Sequence, residues 1–202
     1  RRPATMNAAR DLFGGAIVAL LPDGWLDASD ARPVPDHQEV WLEPDAAERS
    51  IIVELLERAD CTDGESGAMH FEEIANGNDA INSSVLKSAP LSTDALHPAM
   101  RSSSAHLVIG MQELPRDGRD GGKLLPQGTT AKLHVSMVVL RLEAPGTDVL
   151  VSINRQVAAT AIAEGQGARP VSVSDEDTRA DAELLQLVVA SLEVRDWGLF
   201  GG

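Results

Sequence analysis

The chain has 202 residues, 31 of them acidic and 17 basic, with a formal net charge of −14; that length suits one domain with a substantial core. Such a field repels nucleic-acid backbones and anionic membranes and steers a basic partner inward, unless it serves solubility alone. The single cysteine, Cys61, excludes an internal disulfide and a thiolate metal cage and fits a reducing nucleus or cytosol, and no apolar run approaches the length of a membrane span.

Residues 1–10 read as a disordered upstream extension or expression remnant, and residues 11–202 as a single domain. Leu12 to Leu21 is an apolar first strand with Gly14-Gly15 near its start, and Pro22-Asp23-Gly24 turns it. Trp25 to Arg32 is a polar loop or single helical turn. Pro33 and Pro35 then stiffen the backbone and remove two donors, so the chain enters the next strand along a fixed bend. In that strand, Gln38 to Leu42, alternation puts Val40 and Leu42 on a buried face and Glu39 and Trp41 toward solvent, with Asp36 just upstream. Pro44 with Asp45 and Glu48 opens a helix in which Ile52, Leu55, Leu56 and Ala59 recur at helical spacing.

Cys61 to Gly67 reads as a loop and Met69 to Ala75 as a short element; the stretch from Ser83 to Ser104 has no clear pattern. Leu107 to Met111 is a buried strand, Leu114 to Gly128 a long Pro/Gly loop, and Lys132 to Leu142 a half-buried strand whose hairpin partner is Val149 to Asn154. After a second loop, Ala163 to Asp177, Thr178 and Asp181 offer a capping box for a terminal helix marked by Leu185, Val188, Val189 and Leu192. The tail Trp197-Gly198-Leu199-Phe200 is apolar enough to dock back. Hairpins imply antiparallel pairing, and near-continuous apolar strands imply a sheet covered on both sides. The predicted class is α+β: a single-domain sandwich, a mostly antiparallel sheet with helices on both faces.

Catalytic motifs are weak. Gly118 to Leu124 imitates a phosphate-cradling loop, but its spacing is one residue short and Leu124 stands where Ser or Thr would hold magnesium. Gly64-Glu65-Ser66-Gly67 lacks the preceding strand of a nucleophile elbow. The five histidines have no metal-ligand spacing, His134 falls on the exposed face of its strand, and His70 reads as a hydrogen-bonded structural residue. Ser174 to Asp177 caps a helix or is a solvated acidic run. Asp36 and Glu39 remain, and on residue chemistry alone a turn cap plus an ordinary strand residue is an equal account of them.

Phe13-Gly14-Gly15-Ala16-Ile17, Leu26 to Asp30, Arg32 to Val40 and Ser50 to Glu57 together resemble the Mog-type Ran guanine-nucleotide release factors, and Arg141, Thr147-Asp148, Asn154 and Leu199-Phe200-Gly201 extend the resemblance more weakly. It implies a mainly antiparallel sheet flanked by helices, and a regulator without catalytic chemistry or cofactor. The implied partner is the GTPase Ran, nucleotide-free or GTP-bound, with neither nucleic acid nor membrane involved. A monomer working in nucleus and cytoplasm would then promote nucleotide release and support protein transport. The resemblance carries Ran binding onto Asp36 and Glu39; Asp27, Asp30 and Arg32 match as supporting positions, and Trp41 is the candidate aromatic anchor. A different class is a non-exchange adaptor of the same fold, such as the photosystem-associated lumenal proteins.

Overall fold

The computed structural model describes residues 7–44, 49–115, 119–120, 123–124, 129–160 and 173–201. In chain order the elements are β1 (Asn7–Leu12), β2 (Ile17–Pro22), β3 (Leu26–Asp27), β4 (Gln38–Leu42), β5 (Arg49–Glu57), α1 (Asp63–Gly77), β6 (Asn82–Pro90) and β7 (Ser104–Pro115). They continue with β8 (Arg119–Asp120), β9 (Lys123–Leu124), β10 (Thr130–Leu142), β11 (Thr147–Thr160), α2 (Asp175–Ser191) and β12 (Glu193–Val194). A seven-stranded sheet runs β3-β4-β5-β11-β10-β7-β6, and a smaller one runs β1-β2-β12; all pairings are antiparallel. The predicted α+β sandwich is what forms.

The two faces of the large sheet follow strand parity. Val138, Leu140 and Leu142 of β10, with Val149, Val151 and Ile153 of β11, pack under α2 and the small sheet. Val135, Met137 and Val139, with Leu150, pack on Phe71 of α1. Gly110 of β7 is where that helix comes closest. A methyl group there would collide with the Phe71 ring and stand 2.7 Å from the Ser84 carbonyl, so only glycine fits.

Several expectations are corrected. Residues 49–57 form a central strand. Ile51 and Val53 point into the α2-side core while Ile52, Glu54 and Leu56 line a groove on the other side, a period of two. The helical spacing of Ile52, Leu55 and Leu56 is what any strand apolar on both faces also produces, and the β-branched run Ile51-Ile52-Val53 decides it. Asp45 to Glu48 lie outside the described residues. The helix lies one segment later: Thr62 and Glu65 form a reciprocal capping box that starts α1 where a loop is predicted.

The predicted first strand is two strands. Phe13, Gly14 and Gly15 carry φ of 50°, 66° and 93°, a left-handed turn that reverses the chain from β1 into β2. Asn7 to Arg10 of β1 pair with Ala19 to Pro22 of β2, so order begins before residue 11. For α2 the cap is Ser174, whose hydroxyl accepts the Asp177 amide at 3.0 Å, with three acids in the first turn; Thr178 and Asp181 are interior. His134 is buried, not exposed, and faces Asp181 at 3.7 Å. Of the predicted loops, residues 116–118, 121–122, 125–128 and 161–172 lie outside the described set.

Candidate functional site

The bend before β4 is held from both sides. Asp27 accepts the Ser29 amide at 2.8 Å and caps the short turn Ala28–Asp30, whose Ala28 carbonyl takes the Ala31 and Arg32 amides. The two prolines then carry the chain to a second turn, closed where the Gln38 amide donates to the Pro35 carbonyl at 2.9 Å. The Leu55 amide donates to the His37 carbonyl at 2.9 Å and ties this turn to β5. Asp36 therefore stands at the turn tip, exposed, with no hydrogen bond or ion pair to another described residue. Asp30 and Arg32 are also exposed on the preceding turn, and Asp27 is half-buried by its capping role.

Glu39 is placed differently from the expectation. It pairs in register with Val53 and shares a face with Trp41, and that face turns toward the α2-side core. At the rim of that core its carboxylate meets the left-handed turn, where Oε1 accepts the Phe13 amide at 2.5 Å. Glu39 is half-buried and has no cationic partner among the described residues. Burial pushes its carboxyl above the ordinary range; the Phe13 amide pulls against this, and the nearby Asp27 carboxylate adds to the rise.

Trp41 is not an exposed anchor. It is 8% exposed, lies in the core with Trp25 and Ile51, and its ring is covered by Arg10 at 5.4 Å. Val40 is buried on the opposite face, so alternation along β4 could not identify a solvent side.

Two further elements, one missed by pattern and one expected from it, complete this end of the molecule. One is Phe13, whose amide is presented to Glu39 only because its backbone is left-handed. The other is the C-terminal turn Trp197–Phe200, fixed where the Arg195 and Asp196 amides donate to the Ala16 carbonyl at 2.8 and 3.1 Å. Leu199 and Phe200 pack on the core as the apolar tail suggested. Beyond them opens a shallow groove of about 390 Å³ between Phe200, Leu55, Asp36, His37 and Glu57.

Elsewhere, two fully buried aspartates are paired. Asp148 takes His70 Nε2 at 2.8 Å, the Ala59 amide at 3.0 Å and Arg141 Nε at 3.2 Å, while Arg141 also grips the Cys61 carbonyl and Asp63. His70 is thus the structural histidine predicted. Asp181 takes Arg155 bidentately at 2.6 and 2.7 Å, with Arg49 at 3.6 Å. Burial acts to raise both aspartates, yet these donors outweigh it and hold each below the ordinary carboxylate range. No three His, Cys, Asp or Glu side chains among the described residues converge as metal ligands.

The profile of the family described as "Mog1: Ran-interacting Mog1 protein" matches residues 10–156. A Homo sapiens protein named Ran guanine nucleotide release factor is 37% identical over 153 residues, covering 74% of this chain and 77% of that protein. A Schizosaccharomyces pombe protein named nuclear import protein mog1 is 33% identical over 193 residues, covering 94% and 98%. The crystal structure of the Saccharomyces cerevisiae Ran-binding protein Mog1p superposes with a TM-score of 0.65 at 25% identity, covering 98% of this chain and 100% of that one. The cyanobacterial PsbP protein of Synechocystis superposes at 0.54 with 12% identity, covering 96% and 95%, a likeness of fold alone.

Proposed function

Because this chain belongs to the Mog1 family of Ran-interacting proteins, we propose that it binds the small GTPase Ran, promotes release of its guanine nucleotide and supports nuclear protein import, using the Glu39–Asp36 bend. The single observation that carries the site is the state of Glu39. It is a half-buried carboxylate with a raised pKa and one amide for company, whereas the fully buried carboxylates among the described residues, Asp148 and Asp181, each have a guanidinium. An anion kept in that state is destabilised in the free protein, and a lysine or arginine brought against it by a partner relieves the cost. Asp36, exposed at the tip of a turn anchored to β5, supplies a second negative charge at fixed position.

A release factor works only through differential affinity: it must bind the emptied GTPase more tightly than the loaded one. A carboxylate does this by engaging a cation that otherwise holds phosphate, or by repelling the phosphates and disfavouring their magnesium. On this reading Glu39 and Asp36 compete for that positive pocket, the protein acts as a regulator with no chemistry of its own, and it works as a monomer in nucleus and cytoplasm. Asp27, Asp30 and Arg32 shape and flank the bend.

The test is a titration of the protein against nucleotide-free, GDP-loaded and GTP-loaded Ran. The reading expects the tightest binding to the nucleotide-free form, and faster release of a fluorescent guanine nucleotide in the protein's presence. Equal affinity for all three forms would remove the exchange mechanism.

A further inference from the structure

We propose that the C-terminal turn Trp197–Phe200 is part of the partner-facing surface, with the Trp197 indole seating a lysine or arginine of the GTPase at the edge of the groove that Phe200 and Asp36 line. This rests on the reading that the Glu39–Asp36 bend binds Ran, and it supplies the aromatic anchor that Trp41, buried in the core, cannot be.

The exposure is the first reason. Trp25 and Trp41 are 6% and 8% exposed, whereas Trp197 is 48% exposed. A large rigid ring left half in water on an ordered turn has area to lose on binding and little entropy to give up.

Order is the second reason. Asp196 Oδ1 accepts the Gly198 amide at 2.9 Å, and the Ala16 carbonyl accepts two amides of the incoming chain. Phe200 stacks at 5.8 Å, tilted by 49° against the indole, and is itself packed on the core with Leu199. The ring therefore stands on a preorganised platform.

Continuity is the third. Ala16 directly follows the left-handed turn whose Phe13 amide holds Glu39, and Phe200 lines the same groove as Asp36 and His37. Strand β4, the turn and the tail thus meet at one end of the fold, although residues 13, 39 and 197 are far apart in sequence. The chemistry of the occupant follows from the lining, Phe200 and leucine surface for an aliphatic stem and Asp36 and Glu57 for its charge, with the Trp197 ring adjoining the groove through its contact with Phe200. A cation with a long apolar stem satisfies both, through ring–cation attraction and stem packing. The net charge of −14 favours the same class of partner.

The experiment measures affinity for nucleotide-free Ran by calorimetry for wild type, Trp197→Phe, Trp197→Ala and Trp197→Glu, with melting temperature in parallel. An anchor of this kind predicts a loss of about tenfold or more for Trp197→Ala and a smaller loss for Trp197→Phe, which keeps a ring face. Wild-type protein carrying 5-fluorotryptophan gives a second readout that needs no substitution: the fluorine resonance of the exposed Trp197 shifts directly on adding Ran. Variants that bind like wild type together with an unmoved Trp197 resonance would overturn the proposal and leave the Glu39–Asp36 reading intact. Wild type that binds no nucleotide state of Ran would overturn both. A wild-type dimer that Trp197→Ala converts to monomer, with Ran affinity unchanged, would assign the indole to a second copy of the chain and overturn it as well.

Discussion

Asp148 and Glu39 are both carboxylates withdrawn from water, and they end in opposite states. Asp148, in the α1-side network, is surrounded by Arg141, His70 and the Ala59 amide, which together hold its pKa down. Glu39, under the Phe13 turn, has one amide and the repulsion of Asp27, and its pKa is up. The first arrangement is complete within the chain and ties the loop before α1 to the β10–β11 hairpin. The second is incomplete among the described residues, and the proposed binding site completes it with a cation from another molecule.

The contrast breaks most visibly under truncation. Asp148→Ala removes the buried acceptor shared by Arg141, His70 and the Ala59 amide, leaving Arg141 only the more exposed Asp63 as an ionic partner, and is expected to cost about 3–5 kcal/mol of unfolding free energy, measured by urea denaturation. Asp181→Ala should cost less, because Arg155 keeps Asp177 at 3.1 Å and Arg49 keeps its Glu43 pair at 2.6 Å. Either variant melting like wild type would show that those pairs are not structural. Glu39→Lys inverts the pattern: loss of Ran affinity by about 2–5 kcal/mol is expected from breaking a charge pair at an interface, read by titration. Glu39→Gln is sharper still, because the amide oxygen can still accept from Phe13 while the unpaired charge disappears. Its melting temperature at pH 7 should equal or exceed that of wild type although binding is weakened.

The two states also have opposite signs against pH. Asp148 and Asp181, whose folded pKa values are depressed, contribute stability that is present above the ordinary carboxylate value of about 4 and is lost as pH falls through their lower folded values. Glu39, whose folded pKa is raised, contributes most when protonated and loses that contribution as pH rises through its folded value. Comparing wild type with Glu39→Gln by thermal melting from pH 4 to 7 should give a difference that shifts in favour of the variant as pH rises. The smallest effect is expected from Asp36→Asn, with unchanged melting and a several-fold weaker complex, since an exposed charge is screened by solvent.

How much of this is legible in the sequence differs between fold and site. The β10–β11 hairpin, β4, α2 and the sandwich class follow from period and turn chemistry. Strand β5 does not, because a strand apolar on both faces also satisfies helical spacing at Ile52, Leu55 and Leu56. Thr62 and Glu65 spell a capping box in the sequence, yet Gly64 and Gly67 between and after them read as loop. The bend with Asp36 is fixed locally by Pro33 and Pro35. Glu39's environment is not local: its partner Phe13 lies 26 residues away and is presented by a backbone conformation that only the folded hairpin creates. The same applies to the tryptophans. Spacing along β4 put Trp41 outside, and only the layers above and below the sheet decide that Trp41 is core and Trp197 is surface.

A nuclear magnetic resonance titration of the Glu39 side-chain carboxyl, in the free protein and in complex with nucleotide-free Ran, bears most directly on the claim that this charge awaits a cation from outside the chain. The free protein should titrate above the ordinary glutamate value, and the complex should bring it below. A Glu39 carboxyl that titrates at the same raised value in both would contradict the account.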